Sequence, residues 1–316
     1  MAIVALAGGV GASKLLLGLS KALPAEDLTV IVNTGDDLEI LGLSISPDLD
    51  IVTYTLAGIV NPATGWGIRE DTFAALEWLE KYGHPAWFHL GDRDLATHIH
   101  RTALLRLGSS LSQAEDSIRI AFGVEVRILP MSDQPVRTML RTSEGRLAFQ
   151  EYLVQRRAEP LVQGIEFAGA AQALPAPGVL ESIDGADGIV ICPSNPLISI
   201  GPILAVPGVR EALRARRRDV LAISPIVGGK SLKGPSDRML EQLGMKASAL
   251  TVAGLYRDFA GRFVLDLQDH ELQPSIETLD MKVALAQTVM RSDDDKRALA
   301  QSVLFCFGRH GTGADA

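Results

Sequence analysis

Cysteine is nearly missing from this chain, which holds only Cys192 and Cys306 among 316 residues. Two such distant residues make neither a disulfide framework nor a metal-ligand spacing, and they predict a reducing compartment, the cytoplasm. A basic excess is missing as well. The formal net charge of −8 argues against a general nucleic-acid-binding surface, while leaving room for a local basic pocket. No apolar run approaches the roughly 20 residues of a membrane span, and the first strand begins without a basic leader and apolar signal segment. No HExxH occurs, and His98 and His100 do not share a helical face, so zinc chemistry is not expected. These absences leave a cytoplasmic protein whose partners are small molecules, with no nucleic acid and no membrane.

What is present has the proportions of a globular protein, 47% hydrophobic and 22% charged. The runs "AIVALA" and "LTVIVN" are continuous and β-branched, as strands buried on both faces are. Between them lies a glycine turn and a helical pattern over about residues 12–22, which makes a right-handed βαβ unit. Residues of about 50–122 read as mainly helical. A strand-rich stretch follows over about 124–169, including "VRILPM", "VRTMLRT" and "LVQGIEF". The α/β alternation then resumes with "GIVICPSNP", "GVREALRARRR", "DVLAISPIVGG" and "SDRMLEQLG". With no repeat or linker, residues 1–316 predict a single catalytic α/β unit. Its architecture is a Rossmann-like parallel sheet with helices on both faces and a smaller α/β subdomain inserted. The "RARRR" cluster reads as a solvated helix end, and the tail "GRHGTGADA" is expected to add nothing structural.

The first strand runs into "GGVGASK". Glycines there let backbone N–H groups approach an anion, and the following helix N-terminus adds its dipole. The stretch fits neither standard phosphate motif. Ser13 rather than glycine precedes Lys14, which breaks the Walker pattern, and Lys14 stands where a dinucleotide fingerprint has its third glycine. Gly8, Gly9 and Gly11 are therefore a candidate phosphate cradle, with a purely structural turn as the alternative. At the end of the second strand Asp36 and Asp37 follow Asn33, and Asp48 and Asp50 come soon after. Carboxylates beside a phosphate would repel it unless a cation intervened, and Mg²⁺ commonly takes one or two carboxylates plus phosphate oxygens. Asp36 and Asp37 are the predicted Mg²⁺ ligands; helix capping is the alternative, chiefly for Asp48.

Three further segments carry polar groups. In "LGDRDLATHIHR", Thr97, His98 and Arg101 share a helical face and could meet a polar ligand or form an ion-paired helix start. "PSNPLISIGP" follows a buried strand at the edge where open α/β sheets bind ligands. Its Ser194, Asn195 and Ser199 supply donors. In "SPIVGGKSLKGP", Gly228 and Gly229 admit close backbone approach, while Lys230 and Lys233 can neutralise phosphate charge.

Taken in order, these segments resemble the 2-phospho-L-lactate transferases of coenzyme F-420 biosynthesis. The resemblance lies in "GGVGASKLLLGL", "VNTGDD", "SPDLDIVTYTLAG", "WGIREDTF", "LGDRDLATHIHRT", "LPMSDQPVRT", "FQEYLV", "PSNPLISIGPILAVPGVR" and "SPIVGGKSLKGP". It implies a Mg²⁺-dependent transfer to Fo, a deazaflavin with a ribityl chain, from a guanosine diphosphate ester of lactate or enolpyruvate, with GMP leaving. It also implies a homodimer. Asp50 and His89 stand at positions where the family contacts Fo, and Asp50 could orient or deprotonate the attacking hydroxyl. Asp37 is expected beside the reaction as well as on the metal. Ser194, Asn195 and Ser199 would contact the guanosine nucleotide, Thr97 and Arg101 a polar ligand, and Gly229 and Lys230 the leaving group. A nicotinamide-dependent oxidoreductase and a non-catalytic nucleotide-binding regulator are the competing readings.

Overall fold

The computed structural model describes residues 1–84 and 86–308; the expectation for the tail beyond Gly308 lies outside them. Seven parallel strands form the main sheet: β1 (Ile3–Ala7), β2 (Leu28–Val32), β3 (Arg127–Pro130), β4 (Gly188–Ile191), β5 (Val220–Ile223), β6 (Arg262–Asp266) and β7 (Lys282–Ala286). Their order is β7-β6-β5-β4-β1-β2-β3. β1 pairs with β2 on one side, Ile3 opposite Leu28, and with β4 on the other, Ile3 opposite Gly188. The strand order thus reverses at β1, and the crevice beyond its C-terminal end is the place where such sheets take ligands.

Side-chain alternation explains why β1 is apolar throughout. Val4 and Leu6 enter one core with Ile200, Val209 and Val252, while Ile3, Ala5 and Ala7 enter the other. That second core is closed by helices α1 (Gly9–Ala22) and α2 (Pro47–Leu56) and by the C-terminal helix Asp293–Cys306. A pleated strand sends successive side chains to opposite faces, so a strand covered on both cannot alternate in polarity. Gly18 marks the contact of α1 with the C-terminal helix: a Cβ there would lie 2.2 Å from the Lys296 carbonyl oxygen. No other residue would fit without separating the two helices.

The region after α2 carries α3 (Ala74–Lys81), α4 (Asp92–Arg106) and α5 (Leu111–Ala121). A three-stranded antiparallel sheet follows, from Arg137–Thr142, Gly145–Ala148 and Val162–Ala168. It encloses a third core in which Leu140, Phe149 and Tyr152 meet Ile198 and Met239. Two details depart from the sequence reading. "VRILPM" is not part of the small sheet; it pairs in parallel with β2 as the edge of the main one, because its apolar run is buried on both faces. Nor is the arginine cluster wholly a solvated face: Arg214 and Arg218 are exposed, but Arg216 and Arg217 are partly buried. Arg216 donates to the Ile183 carbonyl at 3.3 Å, and Arg217 pairs with Asp280 at 2.7 Å. The cations close the C-terminal carbonyls of neighbouring segments. Among the described residues no helix is long and apolar enough to cross a membrane.

Candidate active site

A cavity of about 920 Å³ opens at the C-terminal ends of β1, β2 and β4, bounded by the helical region on one side and the small sheet on the other. The glycine turn forms its floor. Gly8 precedes α1 in an extended conformation and Gly9 takes a left-handed one, with φ of +71°. A Cβ on Gly8 would fall 2.7 Å from the Ser199 Cβ, and one on Gly11 would fall 2.4 Å from the Pro193 carbonyl oxygen. The turn is therefore pressed against the segment after β4. Ser194 fastens the two, its hydroxyl donating to the Gly8 carbonyl at 2.8 Å. Residues 8–11 line the cavity, and the α1 N-terminus opens onto it, offering unpaired backbone N–H groups to an anion.

The acidic wall comes from two turns. Asn33 ends β2 and folds back through an Asx contact, accepting the Gly35 N–H at 2.8 Å, which delivers Asp36 to the cavity. Pro47 starts α2, and Asp48 and Asp50 occupy its first turn, where the dipole suits an anion. Asp48 accepts from the Asn33 amide at 2.9 Å and from the Gly9 backbone. Burial and the Asp48 charge hold the Asp36 carboxyl well above its usual range, and burial raises Asp48 to about 6. Asp36 Oδ1 finds no hydrogen-bond partner among the described residues.

Asp37 behaves differently. It is turned into the protein, accepts the Ser46 hydroxyl at 3.0 Å and does not line the cavity. Burial pushes its carboxyl up to about 7 against the lowering charges of Arg137 and Arg101. An unfolded carboxyl titrates near 4, so from about pH 4 up to about pH 7 the folded protein binds more protons than the unfolded chain. Stability therefore falls as pH rises through that window and levels off above it. The expected result is a denaturant midpoint that declines from pH 5 to pH 8, with a shallower decline in Asp37→Asn. An unaltered slope in that variant would assign the titration to other groups.

Asp50 is the end of a buried charge chain. Arg101 on α4, with no exposed surface, grips both its carboxylate oxygens, through Nη1 at 3.3 Å and through Nη2. Glu115 of α5 lies 3.6 Å from the same Nη2 and accepts the Thr53 hydroxyl at 2.6 Å. Burial alone would weaken the Arg101 charge, but Asp50 and Glu115 outweigh it and raise its pKa above the ordinary value. Arg101 Nη1 also faces His98 Nδ1 at 3.3 Å. A guanidinium can only donate, so Nδ1 accepts and the ring proton sits on Nε2, toward Asp94 Oδ1 at 3.4 Å. Tyr54 donates to that same oxygen at 2.7 Å. Tyr54, Asp94 and His98 line the cavity beside Asp50, whereas Arg101 and Thr97 stand behind it.

His89 reaches the cavity, and Trp66, Trp87 and Phe88 add flat apolar lining. Ser194, Asn195 and Ser199 line it too. Asn195 also has a local duty, accepting the Leu197 N–H at 2.9 Å. Gly229 and Lys230 do not line it. Ile226–Val227 and Lys230–Ser231 form a hairpin, and Gly228 and Gly229 take φ of +57° and +75° at its turn. Such a two-residue turn needs glycines on geometric grounds alone. Lys233 takes the place expected of Lys230: it lines the cavity and donates to the Thr64 carbonyl at 2.8 Å. Lys14 lies on the cavity floor and donates to the Met290 carbonyl at 3.0 Å. Its pKa is lowered by burial and then by the Lys233 and Lys296 charges.

A glycine turn, a helix N-terminus and an acidic pair at the switch point of a parallel sheet define a Rossmann-like α/β protein with an anion-holding crevice. A family model described as 2-phospho-L-lactate transferase CofD matches residues 3–300. The 2-phospho-L-lactate transferase of Methanosarcina mazei is 40% identical over 305 residues, which cover 96% of this chain and all of that protein. The phosphoenolpyruvate transferase of Streptomyces griseus is 43% identical, with 96% of this chain and 98% of that protein covered. Protein BH3568 of Bacillus halodurans shares the fold, with a TM-score of 0.62 at 16% identity over 96% of this chain and 99% of that one. The chain belongs to the 2-phospho-L-lactate transferase family, and its class of activity is that of a transferase.

Proposed function

We propose that this protein moves a phospholactyl or phosphoenolpyruvyl group from a guanosine diphosphate ester to the terminal ribityl hydroxyl of Fo. The observation that carries the reading is a single crevice lined by the glycine turn, Asp36 and Asp48 together with Asp50, His89, Trp66, Trp87 and Phe88. The first group suits a diphosphate, and the second suits a flat heterocycle with a hydroxyl chain.

The residues also fit a magnesium ion. Asp36 keeps an unpartnered buried oxygen beside the Asp48 carboxylate, and paired oxygen donors of this kind suit a hard cation. Among the described residues no three His, Cys, Asp or Glu side chains group as a metal site, so phosphate oxygens and water would complete the shell. We assign the ion to Asp36 and Asp48 rather than to Asp36 and Asp37. When bound, it would neutralise charge on the transferred phosphoryl group.

The protein's own part is alignment and charge. The backbone N–H groups of Val10 and Gly11 and the Lys14 and Lys233 ammonium groups hold the diphosphate. Asp50, fixed at both oxygens by Arg101, accepts the proton of the attacking hydroxyl. The new P–O bond joins Fo to the phosphorus bearing the organic acid, and the bond to the bridging oxygen breaks to release GMP. The product is F-420-0 or its dehydro form. Mass spectrometry after incubation with Fo, Mg²⁺ and each guanosine diphosphate ester tests the reading. The expected products are GMP and the deazaflavin carrying the phospholactyl or phosphoenolpyruvyl group; their absence with every ester would return the protein to a nucleotide-binding regulator. The family resemblance supports a homodimer, which sedimentation of the purified chain would check, and the scarcity of cysteine supports a reducing compartment such as the cytoplasm.

A further inference from the structure

Three cationic side chains line the cavity: Lys14, Lys233 and Arg157. The two lysines each donate to a backbone carbonyl on the glycine-turn side. Arg157 comes from a different segment, the stretch that follows the Gly145–Ala148 strand. Its guanidinium makes no hydrogen bond or ion pair with any described residue.

The backbone that carries it is unusual. Arg157 and Ala158 are consecutive non-glycine residues in the left-handed region, with φ of 51° and 54°. Each such conformation costs on the order of 1 kcal/mol and persists only where surrounding structure imposes it. Here the small core imposes it. Ala158 is buried, its N–H donates to the Tyr152 carbonyl at 2.8 Å, and the Tyr152 hydroxyl donates back to the Ala158 carbonyl at 3.2 Å. Tyr152 itself is wholly buried among Leu140, Phe149 and Val162. The turn is thus held without any help from Arg157's own side chain, and it leaves the guanidinium at the cavity. Gln150, on the same segment, adds a side-chain amide that bonds to no described residue.

This inference rests on the proposed function. The donor of that reaction carries two phosphates and one carboxylate, whose charges need separate partners. The glycine turn, the α1 N-terminus and the two lysines gather on one side. Arg157, carried by a different segment, offers a planar fork whose two parallel N–H donors match a carboxylate. We propose that Arg157 binds the carboxylate of the donor's organic acid and so distinguishes acid-bearing guanosine diphosphate esters from the bare nucleotide.

The experiment is calorimetric titration of wild type, Arg157→Lys and Arg157→Gln with GDP and with the lactyl and enolpyruvyl esters. Arg157 is exposed, so the variants should fold. Arg157→Gln should weaken ester binding about tenfold or more, the range for a charge-assisted contact, and leave GDP affinity within about twofold. Arg157→Lys should fall between, keeping the charge and losing the fork. Equal losses for GDP and esters would assign Arg157 to the phosphates and overturn the proposal, and so would unchanged ester affinity. Turnover of the wild type, measured in parallel, tests the reaction separately. A wild type that turns over, with an ester-to-GDP affinity ratio unchanged in Arg157→Gln, sinks the role of Arg157 alone.

Discussion

Arg101→Met should cost about 3–5 kcal/mol of stability, the usual penalty for breaking a buried ion pair by removing one partner. The reason is arithmetic of charge. Asp50 and Glu115 lie on either side of one guanidinium, both buried, and the variant leaves two carboxylates with no cation between them. A drop in denaturation midpoint reports this, and adding Glu115→Gln to the variant should recover part of the loss by removing one stranded charge. Turnover separates positioning from stability. In Arg101→Lys the charge survives, but an ammonium cannot hold both Asp50 oxygens. That variant should therefore lose kcat by about 10²-fold, the scale expected for a misplaced reacting group, at temperatures where it remains folded. Full activity in Arg101→Lys would show that Asp50 needs only a neighbouring charge.

Asp36→Asn carries the second large effect, and in the opposite balance: activity falls while stability holds. Removing one preorganised electrostatic partner from a reacting centre costs about 10²–10³ in kcat. The side chain is buried, strained in charge by Asp48, and unpartnered at one oxygen. A neutral amide of the same shape should leave the denaturation midpoint equal or higher above pH 7. Activity titrated against Mg²⁺ should require far more ion in Asp36→Asn and in Asp48→Asn. Asp37→Asn should keep a nearly normal Mg²⁺ requirement, since its carboxylate meets Ser46 inside the protein. A metal requirement shifted by Asp37→Asn and untouched by Asp48→Asn would reverse the assignment of the ligands.

The glycine turn was legible from its residue types because close backbone approach leaves a local signature. Gly8 and Gly11 have no room for a methyl group, and a position without that room admits one residue. Asp50 and His89 were reached through the family resemblance, and both line the cavity. Which acids face the cavity was not legible. Asp36 and Asp37 are neighbours, and which of the two faces the crevice depends on the Asn33 turn and on Ser46, not on their identity. For Asp48 capping stood as the alternative to a metal or phosphate role; it accepts the Gly9 N–H, and the same side chain lines the site. Arg101 was grouped with Thr97 and His98 by spacing, but only His98 of the three lines the cavity, while Arg101 holds Asp50 from behind. Lys230 and Lys233 are three residues apart on a glycine-rich stretch, and only the hairpin decides which reaches inward.

By itself the sequence determined the elements: apolar runs long enough for buried parallel strands, a turn that only glycine permits, and helices whose periodicity closes both faces. Local sterics and hydrophobic burial act within a few residues, so their marks stay readable along the chain. Tertiary structure alone decided which carboxylates share a crevice, which arginine holds another residue and which one lines the cavity. Those outcomes depend on the direction of a side chain after segments far apart in sequence have packed, and no residue's identity records that direction.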